Sequence, residues 1–256
     1  MKKALSICVL LLLLIAGGAY YMLSGAGDFI RTQIEQQGST YLGTTVSVFN
    51  VDLALTEGRM TIKDLDIDNP KGFSDEDAFS VDSITLDLGE VYKEPYVVQT
   101  ISINAPEILY EVDASGQGNL MALKKNLTAN LPKSETTSKD SANPLIIVEN
   151  VTVSKVRLKL NFEKLSTGDF KIETKAYEVT LPTFNAGPIG QPNGMPADQV
   201  GAAVINAMLD NVIAAAKSEA KKRLAEEAKK KVNEELDEQK DKLLEKTKDK
   251  LKGLFN

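Results

Sequence analysis

The stretch Val156-Arg-Leu-Lys-Leu-Asn-Phe162 alternates apolar and polar residues without interruption. Successive side chains of a β-strand point to opposite faces of a sheet, so the pattern predicts a strand with one apolar and one wet face. A single covered face is typical of antiparallel sheets. We therefore expect a twisted antiparallel sheet whose apolar face is covered by its own curl, by the C-terminal helix, or by a lipid-like ligand.

Related strand patterns lie upstream. The apolar residues of 46–48 and of 51–55 fall in opposite phases, which predicts a β-bulge near Phe49-Asn50. The pattern from Ile101 to Val112 is interrupted by Pro106, which favours an edge or bulged strand over a central one. Two short helices are predicted, at 29–41 and 120–131.

The N-terminus predicts a membrane anchor. Met1-Lys2-Lys3 precedes the uncharged run Ala4–Ser24, whose 21 residues would form a helix of about 31 Å, close to a bilayer core. Lysines on the inner side and Asp28 on the outer side place the remaining chain in the periplasm of a bacterial host. The competing interpretation is a signal peptide cleaved after Ser24-Gly25-Ala26.

The C-terminal helix has two parts. Apolar residues recur at helical spacing from Val200 to Ala216 and predict packing on the sheet. Beyond Lys217 the sequence is almost solid charge, with pairs such as Glu226 and Lys230 four residues apart. A solvated helix, a coiled coil with a partner and a helix lying on an anionic membrane all remain open for this second part. A continuous helix over 197–252 would be about 84 Å long.

These features divide the chain into three predicted regions. Residues 1–27 form a transmembrane anchor, 28–195 a periplasmic β-rich domain with a linker near 133–144, and 196–256 the long helix. The fold class is therefore α+β.

Composition excludes several functions. The chain has no His, and its one Cys, Cys8, lies in the apolar N-terminal run, so Ser-His and Cys-His nucleophiles and Cys/His zinc sites cannot form. Residues 4–216 carry 15 Lys/Arg against 26 Asp/Glu, a balance that argues against nucleic-acid binding. Asp64, Asp66 and Asp68 lack the Gly and Glu that an EF-hand loop needs. We expect no catalytic residue, no metal and no cofactor.

The order of segments resembles a known family. It runs from the anchor through Asn69-Pro70-Lys71-Gly72-Phe73 and Pro106-Glu-Ile-Leu-Tyr-Glu111 to Gly118-Asn-Leu120 at the start of a helix. Over about residues 5–131 this resembles the N-terminal region of the AsmA family of bacterial envelope proteins. The resemblance implies an inner-membrane protein with a periplasmic β-groove that serves outer-membrane assembly, phospholipid movement or protein targeting to the membrane.

Three functions compete on this basis. The first is a lipid-handling envelope-biogenesis protein, because burying each CH₂ of an acyl chain yields about 0.8 kcal/mol. Its candidate groove lining is Val51, Leu53, Ile62, Ile84, Leu86, Ile101, Ile103, Val156, Leu158 and Leu160. The second is a membrane-tethered structural adaptor that binds an envelope partner through 197–252. The third, an enzyme, has only surface carboxylates in its favour.

Overall fold

The protein was described from a computed structural model covering residues 25–89, 93–131, 144–165 and 175–254. Three helices lie in these residues: α1 (25–42), α2 (Asn119–Asn130) and α3 (Ala197–Leu254). The strands are β1 Val46–Ala54, β2 Arg59–Asp68, β3 Asp77–Leu88, β4 Tyr96–Asn104, β5 Glu107–Glu111, β6 Leu145–Ser154, β7 Arg157–Asn161, β8 Ala176–Thr180, β9 Phe184–Asn185 and β10 Met195–Pro196. The α+β class, both short helices and the long C-terminal helix are confirmed.

Two sequence predictions lie outside the described residues. They are the membrane-spanning run Ala4–Ser24 and the linker at 133–144, of which Pro144 alone is described. Among the described residues, α3 alone is long and apolar enough by composition to cross a membrane. Its apolar part is packed against protein, with Val212 and Ala216 fully buried, so we interpret it as a core helix.

The ten strands form one mixed sheet, so the prediction of a purely antiparallel sheet was wrong. β4 pairs with β6 in parallel, and β5 pairs with β7 in parallel, both at an offset of 50 residues. β4 and β5 together form one long strand that is bent in the middle, and so do β6 and β7. The chain returns from β5 to β6 through a segment that includes α2, which is the crossover that parallel neighbours require.

β8 and β9 form a third bent strand. β8 pairs with β7 and β9 pairs with β6, both antiparallel. When the two halves of each bent strand are counted as one, the order across the sheet is β1, β2, β3, β4/β5, β6/β7 and β8/β9. β10 pairs with the start of β6. The β4/β5 strand is therefore central, so of the two alternatives predicted for Pro106, an edge or a bulge, the edge was wrong. This proline sits at the bend, where the ladder is interrupted.

The bends align in a crease that runs across the sheet. Asp64, Ala105 and Lys155 have left-handed backbones, with φ of 47°, 53° and 54°. The 50-residue offset sets Ala105 beside Lys155, and Asp64 lies midway along β2. The pairing of β1 with β2 keeps one register on both sides of Phe49. The predicted phase change is thus real, but it arises from a bend shared by neighbouring strands and not from a bulge with an extra residue.

α1 closes the free edge of β1. The Glu35 carboxylate accepts a hydrogen bond from the Val48 backbone N–H at 3.0 Å, and the Ser39 hydroxyl accepts one from Val46 N–H at 2.9 Å. Unpaired N–H groups on an edge strand are sites for unwanted pairing, and α1 occupies them here. The two elements approach closely, because a Cβ added at Gly27 would lie 2.4 Å from the Val51 carbonyl oxygen.

α3 runs across the inner face, which is the face of the sheet that carries the helices. Its first residue, Ala197, donates a hydrogen bond to the Pro144 carbonyl just before β6. Farther along, Met208 and Leu209 pack near Phe79, and Arg223 lies over the Tyr177 ring at 5.1 Å. α1 starts near Val51 and passes Val46 later, so both helices run toward the same end of the sheet, away from residue 25.

Candidate functional site

The ten candidate groove residues all belong to, or pack against, one hydrophobic core. Seven of them are buried: Val51, Ile62, Ile101, Ile103, Val156, Leu158 and Leu160. α2 and α3 cover the half of the sheet that contains β5 and β7. Leu120 and Leu123 of α2 and Met208, Leu209 and Val212 of α3 face Ile67, Phe79 and Ile108 of the sheet.

The space left between these helices and the sheet is small. The cavity lined by these residues has a volume of about 20 Å³. A single water needs about 10–15 Å³ on this measure, so the cavity is far too small for an acyl chain. In this half the apolar face is filled by the protein's own side chains.

The other three candidates, Leu53, Ile84 and Leu86, are only partly buried. Leu53 pairs across the strands with Met60, and Met60 pairs with Leu86. Leu53, Met60 and Leu86 form a short apolar strip, which we call the proximal strip because it lies at the end of the sheet where α1 begins. It is the part of the inner face that the helices cover least.

The residues that carry the family resemblance meet in a buried polar cluster, here the polar latch. Asn119 is fully buried, and its side-chain carbonyl accepts from the backbone N–H groups of Glu111 at 2.9 Å and Leu120 at 2.8 Å. Its amide group donates to the Asn69 side-chain oxygen at 2.7 Å and to the Leu109 carbonyl at 2.8 Å. The latch ties the loop after β2 to β5 and to the start of α2.

Glu111 completes the latch as a buried carboxylate with four donors. It accepts from the Ser74 backbone N–H at 2.9 Å, the Ser74 hydroxyl at 2.7 Å and the Asn69 amide at 3.2 Å. Lys164 Nζ lies 2.8 Å from its second oxygen. Burial alone would raise the pKa of Glu111, but Lys164 and Ser74 outweigh it and hold the pKa below its usual value. A carboxylate with its oxygens already occupied is built to hold structure and is a poor general base.

The acidic residues that the structure describes form no metal site. Asp64, Asp66 and Asp68 lie on β2, and burial together with Asp66 and Asp68 raises the pKa of Asp77. A polar surface depression of about 340 Å³ is bordered by Asp75, Glu76, Asp77, Ser80, Glu107 and Lys159. Within the described ranges, no group of three or more Asp, Glu, His or Cys residues could hold a metal ion.

α3 leaves the domain beside Tyr177. The Arg223 guanidinium stacks on this ring, and Phe162 contacts it from the sheet, with the ring centroids 6.3 Å apart. Burial and the nearby Glu219 raise the pKa of the Tyr177 hydroxyl. From Val232 to Glu245 every residue is exposed, including Val232 at 55% and Leu236 at 48%. We call 232–254 the distal segment.

No protein family model, curated protein or solved structure matches this chain. Function is therefore argued from the geometry of the chain itself. The resemblance to the AsmA family stays a prediction.

Proposed function

We propose that this chain is a non-enzymatic bacterial envelope protein of AsmA type, tethered to the inner membrane by residues 1–27. In this proposal it serves envelope biogenesis as an adaptor, presenting the distal segment to a partner in the periplasm. The supporting observation is the direction of α3, which starts at the end of the sheet near residue 25 and leaves at the other end.

The geometry gives the adaptor its reach. From Ala197 to Leu254 a straight helix rises about 86 Å. The part that is exposed throughout begins at Val232, and from there to Leu254 the helix accounts for about 33 Å of this. With the tether at one end and a free rod at the other, a partner could be engaged well away from the bilayer surface.

The filled half of the inner face also favours an adaptor over a carrier. The buried half of the sheet has room for about one water and none for a hydrocarbon tail. The most deeply buried carboxylate, Glu111, is used in the polar latch. A scaffold needs neither an open cavity nor a reactive side chain.

The test is removal of the distal segment. A chain ending at Lys231 should keep the melting temperature of the domain and lose envelope function. The loss is measured as entry of a large antibiotic through the outer membrane of cells whose only copy of this protein is the shortened chain. A matched control replaces Lys230 and Glu234, an exposed pair, by Ala without shortening the rod. Full function in the shortened chain would refute the adaptor.

A second candidate, phospholipid handling, is favoured by the proximal strip. Leu53, Met60 and Leu86 are partly exposed apolar residues beside the start of α1, where a tether would bring them close to lipid. A photoactivatable phospholipid in the membrane should label the strip, and Leu86→Glu should remove the label. The matched control is Leu224→Glu on α3, which should leave labelling unchanged. Equal labelling of the parent chain and Leu86→Glu would exclude this strip as a lipid contact.

A further inference from the structure

α1 and β1 lie side by side and run in opposite directions. Gly27 of α1 lies against the Val51 backbone, and farther along α1 the Ser39 hydroxyl accepts a hydrogen bond from the Val46 backbone N–H at 2.9 Å. The helix rises about 18 Å from Gly27 to Ser39, and the strand covers about 17 Å from Val51 to Val46. Because the two lengths agree, the helix axis and the strand are nearly aligned, and a level on α1 corresponds to a level on β1.

β1 continues past the level of Gly27 in the direction of the predicted anchor. Its last residue, Ala54, lies about 10 Å beyond Val51 along the strand. The predicted anchor ends at Gly27, and Asp28 is the first charged residue after Lys3. The end of β1 therefore lies about 10 Å to the bilayer side of the level at which a charged residue first follows the anchor. This distance is comparable with the thickness of one headgroup layer, which is about 5–7 Å.

The hairpin formed by β1 and β2 has the amphipathic surface of an interfacial element. Leu53 and Met60, which belong to the proximal strip, are apolar and only partly buried. The guanidinium of Arg59 lies 3.4 Å from a carboxylate oxygen of Glu57 and 3.1 Å from one of Asp87. Amphipathic helices with an apolar and a charged side lie in the headgroup layer, with the apolar side at the acyl boundary. The paired charges and the apolar strip give the hairpin the same two sides.

We infer that the tip of this hairpin, residues 55–58, lies in the headgroup layer of the bilayer that holds the anchor. Phe29, which is 65% exposed near the start of α1, lies at the same end and is of the aromatic kind that favours membrane interfaces. The inference rests on the proposed function, because it uses the tether. It adds a second point of contact with the phospholipid surface, which keeps the domain from swinging about its anchor and keeps α3 directed away from the bilayer.

The test is fluorescence quenching in phosphatidylcholine nanodiscs that each hold one copy of the full chain, with Cys8→Ser removing the native thiol. A fluorophore is attached at Thr56→Cys in the exposed tip, and nitroxides on the lipid headgroups act as a short-range quencher. Phe49→Cys is the matched control, because Phe49 is 74% exposed on the same strand and lies about 17 Å farther from the bilayer than Ala54. The label at 56 should lose most of its fluorescence and the label at 49 should keep most of it. Equal quenching at the two positions would overturn the inference.

A third label separates failure of the hairpin contact from failure of the tether. Asp28→Cys directly follows the predicted anchor at an exposed position, so its label should be quenched whether or not the hairpin touches lipid. Quenching at 28 with none at 56 would overturn the hairpin contact and leave the tethered adaptor standing. No quenching at either position would refute the tether as well. Because each nanodisc holds one copy and the quencher is on the lipid, neither a second copy nor a protein partner can produce the expected result.

Discussion

The polar latch yields the sharpest stability prediction, for Asn119→Ala. Asn119 makes four hydrogen bonds of 2.7–2.9 Å at a fully buried position. The substitution leaves the Glu111 and Leu120 N–H groups and the Leu109 carbonyl without this partner. Each buried group without a partner costs about 1–3 kcal/mol, and partial relaxation reduces the sum to about 3–5 kcal/mol. For a chain of this size that lowers the melting temperature by about 10 °C.

The assay is thermal unfolding of the full chain in detergent, followed by far-ultraviolet circular dichroism. Asn130→Ala is a matched control, because it removes the same amide from the same helix at an exposed position, where the side chain bonds the carbonyls of Thr40 and Tyr41. We expect the control to cost about 0.5–1 kcal/mol. Equal losses for the two variants would refute the view that the latch holds α2 to the sheet.

Three more predictions concern the domain, each read by the same melting assay. Gly27→Ala should cost about 1–3 kcal/mol, because the new Cβ would lie 2.4 Å from the Val51 carbonyl oxygen. Gly25→Ala, whose Cβ would have nothing within 4 Å, should be neutral or stabilising by up to about 1 kcal/mol. Equal effects of the two substitutions would contradict the contact between α1 and β1. Leu158→Ala should cost about 2–5 kcal/mol because Leu158 is fully buried, and Leu86→Ala in the proximal strip should cost clearly less. The reverse order would contradict the assignment of Leu86 to a less covered part of the inner face. The pKa of Glu111 is lower in the folded than in the unfolded chain, so its carboxylate stabilises the fold above the unfolded pKa and this contribution is lost as pH falls through the folded pKa. Glu111→Gln should therefore weaken the fall of the melting temperature below about pH 4.5. An unchanged fall would assign the acid sensitivity to other groups.

Much of the element pattern could be predicted because it is local. The strict alternation of 156–162 gave β7, and the apolar spacing of 200–216 gave the buried part of α3. The helix predicted at 120–131 is α2 shifted by one residue. In each case a period of two or of about 3.6 residues is written directly in the sequence.

What the sequence could not reveal depends on contacts between distant residues. Alternation looks the same in a half-covered parallel strand as in an antiparallel one, so the pairing of β4 with β6 was missed. The helix between β5 and β6 was the available signal, since parallel neighbours need such a crossover. The latch joins Asn69, Glu111 and Asn119 across separations of 42 and 50 residues. The local pattern of apolar and polar residues carries no information on contacts between residues so far apart in the chain.

The bend at the crease was predictable in part. The opposite phases of 46–48 and 51–55 marked its place on β1, but a bulge in one strand gives the same pattern as a bend shared by several. Asp64, Ala105 and Lys155 adopt left-handed backbones although none is glycine. Such a conformation costs about 1–2 kcal/mol per residue and is imposed by the sheet around it.

The orientation of α3 relative to the bilayer tests the account most directly. With Cys8→Ser, a fluorophore is attached at Lys93→Cys, near the start of β4, or at Glu245→Cys, in the distal segment, and the chain is placed in nanodiscs with an energy acceptor on the lipid headgroups. The rise of α3 from Ala197 to Glu245 is about 72 Å, so we predict strong energy transfer from position 93 and little from position 245. Equally strong transfer from both positions would show that the distal segment lies on the membrane, and would contradict a rod that projects into the periplasm.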